Sequence, residues 1–170
     1  MLEIRSEVVG DRLAIVEVHA SAFSTDAEAR LVDALRAAGK ASVSLVAELE
    51  GTVIGHVLFS PISVAPCAGV ARGAGLAPLA VFPEHRRQGV GGKLIQAGIE
   101  ACLRAGFDFV VVLGEPAYYR RFGFRRALDR GLRNEYGADE EFMVLELRPG
   151  ALSGVPGLVK YALEFAAVEA

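Results

Sequence analysis

The spacing of apolar positions changes several times along the chain, and each change marks an element. Leu2 to Glu7 alternates apolar and polar residues, the period of a half-buried strand. From Gly10-Asp11 to about Phe23 the period becomes helical, with Leu13, Val16 and Ala20 about a turn apart. Ser24-Thr25-Asp26 offers an N-cap for a second helix whose apolar face holds Ala29, Leu31, Val32 and Leu35, and Gly39 ends it. Ser44 to Leu49 and Val53 to Ser60 read as strands flanking Glu50-Gly51, a hairpin turn. Pro61 to Gly75, rich in Gly, Ala and Pro, reads as a strand end and a loop, and Ala77 to Phe82 as a short strand stopped by Pro83. A helix from about Gly89 to Ala105 precedes the apolar run Phe109 to Leu113. Such a run suits a strand buried on both faces, in a parallel pair joined by a crossover helix. Pro116 to Phe122 reads as a short helix, Phe142 to Leu147 as a strand, and the alternation Val159, Tyr161, Leu163, Phe165 as a last strand. The sum is a mixed α/β sheet with helices on its faces and no dividing linker, which predicts one domain over residues 1–170.

The helix after Gly89 starts against its own stability. Val90, Gly91, Leu94, Ile95, Gly98, Ala101 and Cys102 share one face, so the helical period is firm. Helix N-termini favour acids and polar caps, yet Arg86 and Arg87 precede this one and Lys93 lies within it. Gly89, Gly91 and Gly92 crowd its first turn, at about 1 kcal/mol each relative to Ala inside a helix. An anion site accounts for this: glycines let free N–H groups approach a phosphate, and the helix dipole and the cations add attraction. The alternative is that the glycines serve tight helix–sheet packing and the arginines are simply solvated. Two common phosphate motifs fail at named positions. A P-loop needs Gly where Arg87 stands and Ser or Thr where Leu94 stands. A dinucleotide fingerprint beginning at Gly89 and Gly91 needs its third Gly at Leu94.

Bulk properties narrow the class. The chain has 170 residues, 52% hydrophobic and 23% charged, enough for one sizeable core. A net charge of −3 gives no general attraction to nucleic acid or an anionic membrane, and neither is expected as a partner. Cys67 and Cys102 make no disulfide framework, no metal-ligand spacing suggests a metal, and no apolar run reaches membrane-spanning length. The N-terminal residues lack the features of a signal peptide, so the expected location is cytoplasmic.

The run Arg86-Arg87-Gln88-Gly89-Val90-Gly91 resembles the acetyl-CoA motif of the GNAT superfamily: Arg or Gln, two residues, Gly, one residue, then Gly or Ala. Two more segments resemble the same family in the same order. Leu79-Ala80-Val81-Phe82-Pro83-Glu84-His85 is similar to its fourth strand and following turn, and Tyr119-Arg120-Arg121-Phe122-Gly123-Phe124 to its Tyr-x-x-x-Gly-Phe segment. The resemblance implies a GNAT-like fold, mostly antiparallel with a splayed parallel strand pair and helices on both faces. It implies an N-acetyltransferase that uses acetyl-CoA as co-substrate and a primary amine on a small molecule or peptide as acceptor. A non-catalytic acyl-CoA-binding module is the alternative, and a homodimer is an assembly the family commonly forms. Carried over by position, Leu79, Ala80 and Val81 would hold the pantetheine arm. Arg86, Arg87, Gln88, Gly89, Val90, Gly91 and Gly92 would hold the pyrophosphate. Tyr119 would protonate the departing thiolate. Glu115 and His56 are both candidate general bases. Either cysteine is a conceivable acyl carrier, though Cys102 lies on the apolar face of its helix.

Overall fold

The structure is a computed structural model that describes residues 1–66, 71–153 and 156–169. Strand β1 (Leu2–Ser6) leads to helices α1 (Arg12–Ala22) and α2 (Ala27–Ala37). The hairpin β2 (Val43–Leu49) and β3 (Thr52–Ala65) turns at Glu50 and Gly51, both at positive φ. Then come β4 (Gly73–Val81), α3 (Val90–Arg104), β5 (Phe109–Leu113) and α4 (Pro116–Arg120). The chain continues through the short strands β6 (Arg125–Arg126) and β7 (Leu132–Asn134) to β8 (Phe142–Glu146). It ends with β9 (Gly157–Lys160) and α5 (Leu163–Glu169).

The main path through the sheet runs β1-β2-β3-β4-β5-β8-β6, antiparallel except for β4 and β5. Both faces are covered. On one, Ile15, Val18, Leu31, Val32 and Leu35 of α1 and α2 pack over Val46, Leu58, Ala80 and Val111. On the other, Leu94, Ile95 and Cys102 of α3 pack over Val57, Phe59, Val110 and Val112. This is the mixed α/β sheet that the apolar periods imply, including the buried run Phe109 to Leu113 and the crossover helix α3 between its parallel strands.

Several boundaries differ from expectation. The helical period of α1 is correct but its phase is not: Ile15, Val18 and His19 face inward, whereas Leu13 is 72% exposed. The stretch from Pro61 to Gly75 is less of a loop than its composition suggests, because β3 runs to Ala65 and β4 begins at Gly73. Cys67 lies outside the described residues. The C-terminal alternation is not one strand. Val159 belongs to β9, which pairs with β3 and β7, and from Leu163 the chain is helical. Leu163 is exposed while Phe165 packs into the core beside Tyr161.

Candidate active site

Strands β4 and β5 part company. They pair in parallel only from Gly73↔Phe109 to Gly75↔Val111. Beyond that, β4 keeps its partner on the other side, with Val57↔Leu79, His56↔Ala80 and Gly55↔Val81, while its β5-facing edge is left without a strand. The β3–β4 register shifts between Val57 and Phe59, opposite Ala77 and Pro78. Pro78 has no N–H to give a ladder, so an irregularity there is the expected response. The result is a fork in which β4, beyond Gly75, pairs with β3 alone among the described residues.

Two tyrosines flank the fork, each seated on a glycine. A Cβ at Gly114, just past β5, would overlap the Tyr119 ring, and one at Gly75 would stand 2.6 Å from the Tyr161 ring. Tyr119 is 8% exposed and makes edge contacts with Tyr118 and Phe124. Burial, with the neighbouring Tyr118, pushes its phenol up to about 12, so it stays protonated at neutral pH. Burial likewise raises the Tyr161 phenol. A smaller cavity of about 250 Å³ opens at the fork between Leu76, Ala77, Leu113, Tyr136, Tyr161 and Phe165.

A larger cleft, about 800 Å³, runs from the β4 arm to the start of α3. Leu79, Ala80 and Val81 line it, as do Arg86, Arg87, Gly89, Val90, Gly91 and Gly92, so the structure brings together the two groups of residues singled out for a cofactor. Gln88 is not among the lining residues; its amide donates to the Glu84 carbonyl at 3.4 Å. Phe23, His85, Tyr118 and Arg121 complete the wall. Among the described residues no acid lines it, and Arg86, Arg87 and Arg121 form no ion pair.

The backbone before α3 is bent into this shape. Arg87 (φ 61) and Gly89 (φ 81) are both left-handed, a conformation that costs a non-glycine residue about 1–3 kcal/mol. The Arg86 guanidinium donates to the Val81 carbonyl at 3.2 Å and ties the loop to the end of β4. In the first helical turn the N–H groups of Val90, Gly91 and Gly92 have no acceptor within the helix. Loop and helix end together form a concave set of donors suited to an anion. The two readings of the glycines divide by position. A Cβ at Gly98 would overlap the Phe59 ring, so that glycine serves packing. A Cβ at Gly89 would meet nothing, so space alone does not require a glycine there; its φ does.

The two candidate bases stand in different surroundings. The Glu115 carboxylate accepts from the Ala117 N–H at 3.3 Å and caps α4. His56 is fully buried under α1, with both ring nitrogens engaged: Nδ1 lies 2.8 Å from His19 Nε2, and Nε2 lies 2.8 Å from Ser44 Oγ. Burial pulls the His56 imidazolium down, against the pull of Glu7, and brings His19 to about 3. Cys102 is buried, with its thiol pushed up to about 12 by burial, a poor state for a nucleophile. Among the described residues no group of His, Cys, Asp and Glu could hold a metal ion, and no helix is long and apolar enough to cross a membrane.

Sequence pattern alone did not mark His19, Arg121 or Tyr161. A signal for His19 exists: Ile15, Val18, His19 and Ala22 follow the i, i+3, i+4, i+7 spacing of a buried helix face. Arg121 and Tyr161 reach their places only through the tertiary fold.

Known proteins resemble this chain in sequence and in fold. A family model described as the acetyltransferase (GNAT) family matches residues 13–124. The chain is 41% identical over 164 residues to YhbS of Escherichia coli strain K12, described as an uncharacterized N-acetyltransferase, covering 95% of this chain and 97% of that one. The crystal structure of YhbS from Escherichia coli in complex with CoA superposes with a TM-score of 0.91 at 40% identity, covering 97% of this chain and 92% of the other. A GNAT family acetyltransferase from Brucella melitensis in complex with acetyl-CoA gives 0.80 at 35% identity, covering 97% and 98%.

Proposed function

The chain belongs to the GNAT acetyltransferase family, and from that premise we propose that it moves an acetyl group from acetyl-CoA to a primary amine. The observation that carries this reading is the acid-free cleft, which joins the donor-rich start of α3 to the arm of β4 that has left β5. Its chemistry matches the two ends of the cofactor. The N–H groups of residues 87–92, with Arg86 and Arg87, meet the pyrophosphate, and the backbone of Leu79, Ala80 and Val81 meets the amides of the pantetheine arm. The relatives solved with CoA and with acetyl-CoA support the same donor.

In the transfer, the amine nitrogen attacks the thioester carbon, and backbone N–H groups on the β4 arm stabilise the oxyanion of the tetrahedral intermediate. As the C–S bond breaks, Tyr119 gives its proton to the departing thiolate. Its burial and its lack of a hydrogen-bond acceptor among the described residues keep that proton available. The aromatic cavity at the fork, bounded by Leu76, Leu113, Tyr161 and Phe165, would receive the acceptor and favour an amine with an apolar body. Of the two candidate bases, Glu115 caps α4 and is not among the residues that line the cleft, and His56 has both ring nitrogens engaged.

A thermal-shift comparison of acetyl-CoA, ATP and NAD tests the donor. Acetyl-CoA should stabilise the protein well above the other two. Stabilisation by ATP or NAD alone would overturn the assignment.

A further inference from the structure

Beneath α1 a line of polar side chains crosses the interior. The Arg36 guanidinium pairs with Glu7 (2.9 Å). The Glu7 carboxylate accepts from the Ser44 hydroxyl, Ser44 meets His56 Nε2, and His56 Nδ1 meets His19 Nε2. His56 Nε2 stands 3.9 Å from the carboxylate itself, so Ser44 is the bridge. Burial would raise the Glu7 carboxyl; His56, Ser44 and Arg36 together outweigh it and hold it at about 2, so Glu7 is ionised at neutral pH.

That ionised end dictates every proton on the line. A carboxylate only accepts, so Ser44 donates its hydroxyl proton to Glu7. The Ser44 oxygen then accepts, so His56 carries its proton on Nε2 and presents Nδ1 as a lone pair. His19 must therefore donate from Nε2, which leaves His19 Nδ1 as a bare lone pair. This atom is buried and has no partner. His19 itself lines neither cavity, and it lies one ring behind the cleft wall. His19 stacks on Phe23, which lines the cleft, and His56 lies directly across from Ala80, which also lines it.

We propose that His19 Nδ1 accepts the proton released by the attacking amine, and that His56, Ser44 and Glu7 relay a proton to the far side of the fold. This rests on the acetyl-transfer reading and supplies the base it lacks. The steps balance. The amine N–H bond breaks as Nδ1 gains a proton. His19 passes its Nε2 proton to His56 Nδ1, His56 passes its Nε2 proton to Ser44, and Ser44 passes its own to Glu7. Glu7, Arg36 and Ser44 line a groove with Val8, Val9, Arg12 and Ala41, where water takes the proton and restores the carboxylate; the two rings, now protonated on Nδ1, return to the Nε2 tautomer before the next turnover. Burial keeps both rings neutral at rest, so Nδ1 stays open to accept. The charged groups acting on the rings are Glu7 just after β1, Asp11 before α1 and Arg36 from α2.

The test has two arms. Nitrogen NMR of the imidazoles in the free protein should show His19 and His56 both protonated at Nε2 near neutral pH; an Nδ1-protonated tautomer at either ring overturns the relay whatever the activity. In acetyl-CoA-dependent thiol release, His19→Gln keeps a donor toward His56 but has no lone pair that takes up a proton. It should lower kcat about 100-fold, with KM for acetyl-CoA unchanged. Ser44→Ala should lower kcat about tenfold and change the solvent deuterium isotope effect, and Ser44→Thr should restore both. Wild-type kcat and pH–rate profile in His19→Gln would overturn the proposal. A wild-type protein that binds acetyl-CoA yet transfers to no amine would instead overturn the acetyl-transfer reading, and the relay's role with it, leaving the tautomers as drawn.

Discussion

In the cleft, Arg87 and Arg121 face a space lined by no acid; under α1, Arg36 is bonded to both Glu7 and Asp33, and Glu7 is bonded again to Ser44. The first region leaves its cations without carboxylate partners and even accepts a left-handed arginine to keep N–H groups turned outward. The second satisfies its charges internally and leaves a single imidazole lone pair unspent. Charge left open marks where a ligand binds. Charge closed on itself, with one atom to spare, is what the proposed proton relay uses.

Substitutions at the two regions should separate binding from turnover. The largest effect is expected from Tyr119→Phe, which removes the thiolate's proton donor while keeping the ring on Gly114. Turnover should fall about 100-fold or more with acetyl-CoA affinity unchanged, as read by steady-state kinetics beside calorimetric titration. Normal turnover would move the acid to Tyr118, whose hydroxyl would stand 3.0 Å from a Cβ at Gly91.

Gly89→Val should weaken acetyl-CoA binding about tenfold, because a β-branched residue resists φ 81 and the loop's N–H groups would turn away. Gly98→Ala is its counterpart within the same helix. There the new methyl group overlaps Phe59, so stability should fall by about 1–3 kcal/mol while acetyl-CoA affinity holds, measured by denaturant unfolding and titration. Equal effects of both on binding would erase the division between anion and packing glycines. A smaller change, about fivefold in affinity, is expected from Arg87→Gln. It should shrink as salt rises, since an exposed cation acts through a screened field.

The smallest effect separates the regions by pH. A histidine held near 3 in the fold, against an ordinary value of 6.5, cannot take up the proton that the unfolded chain accepts. Its contribution to stability is therefore complete above about 6.5 and is lost as pH falls toward 3. Glu7, held at about 2 against 4.5, acts in the same direction lower down. The Tm should decline with acid across that window, and less steeply in His19→Gln. An unchanged slope would show that His19 titrates normally.

The cleft was far more legible in sequence than the histidine line. Arg86 to Gly92 announces itself because local rules are broken within seven consecutive residues, and breaking them has a local cost and a local purpose. The family followed from that run and its two companion segments, and the mixed α/β sheet from the order of the apolar periods. The fork was legible in part: Pro78 warned of an irregular strand, but that pairing stops after Gly75 depends on contacts with no sequence mark. The histidine line joins four elements distant in sequence, and it was hidden further by a helix phase set on Leu13 rather than Ile15. The tail misled for a related reason. Alternation over Val159 to Phe165 is equally compatible with a strand that ends and a helix that buries Phe165 on Tyr161.

The central claim is that the forked, acid-free cleft holds acetyl-CoA for transfer to an amine. Release of free CoA thiol from acetyl-CoA, followed across a panel of small-molecule and peptide amines, tests it most directly. The account predicts release that depends on the amine and favours acceptors with an apolar body. Release that ignores every amine, or no release from a protein saturated with acetyl-CoA, would contradict it.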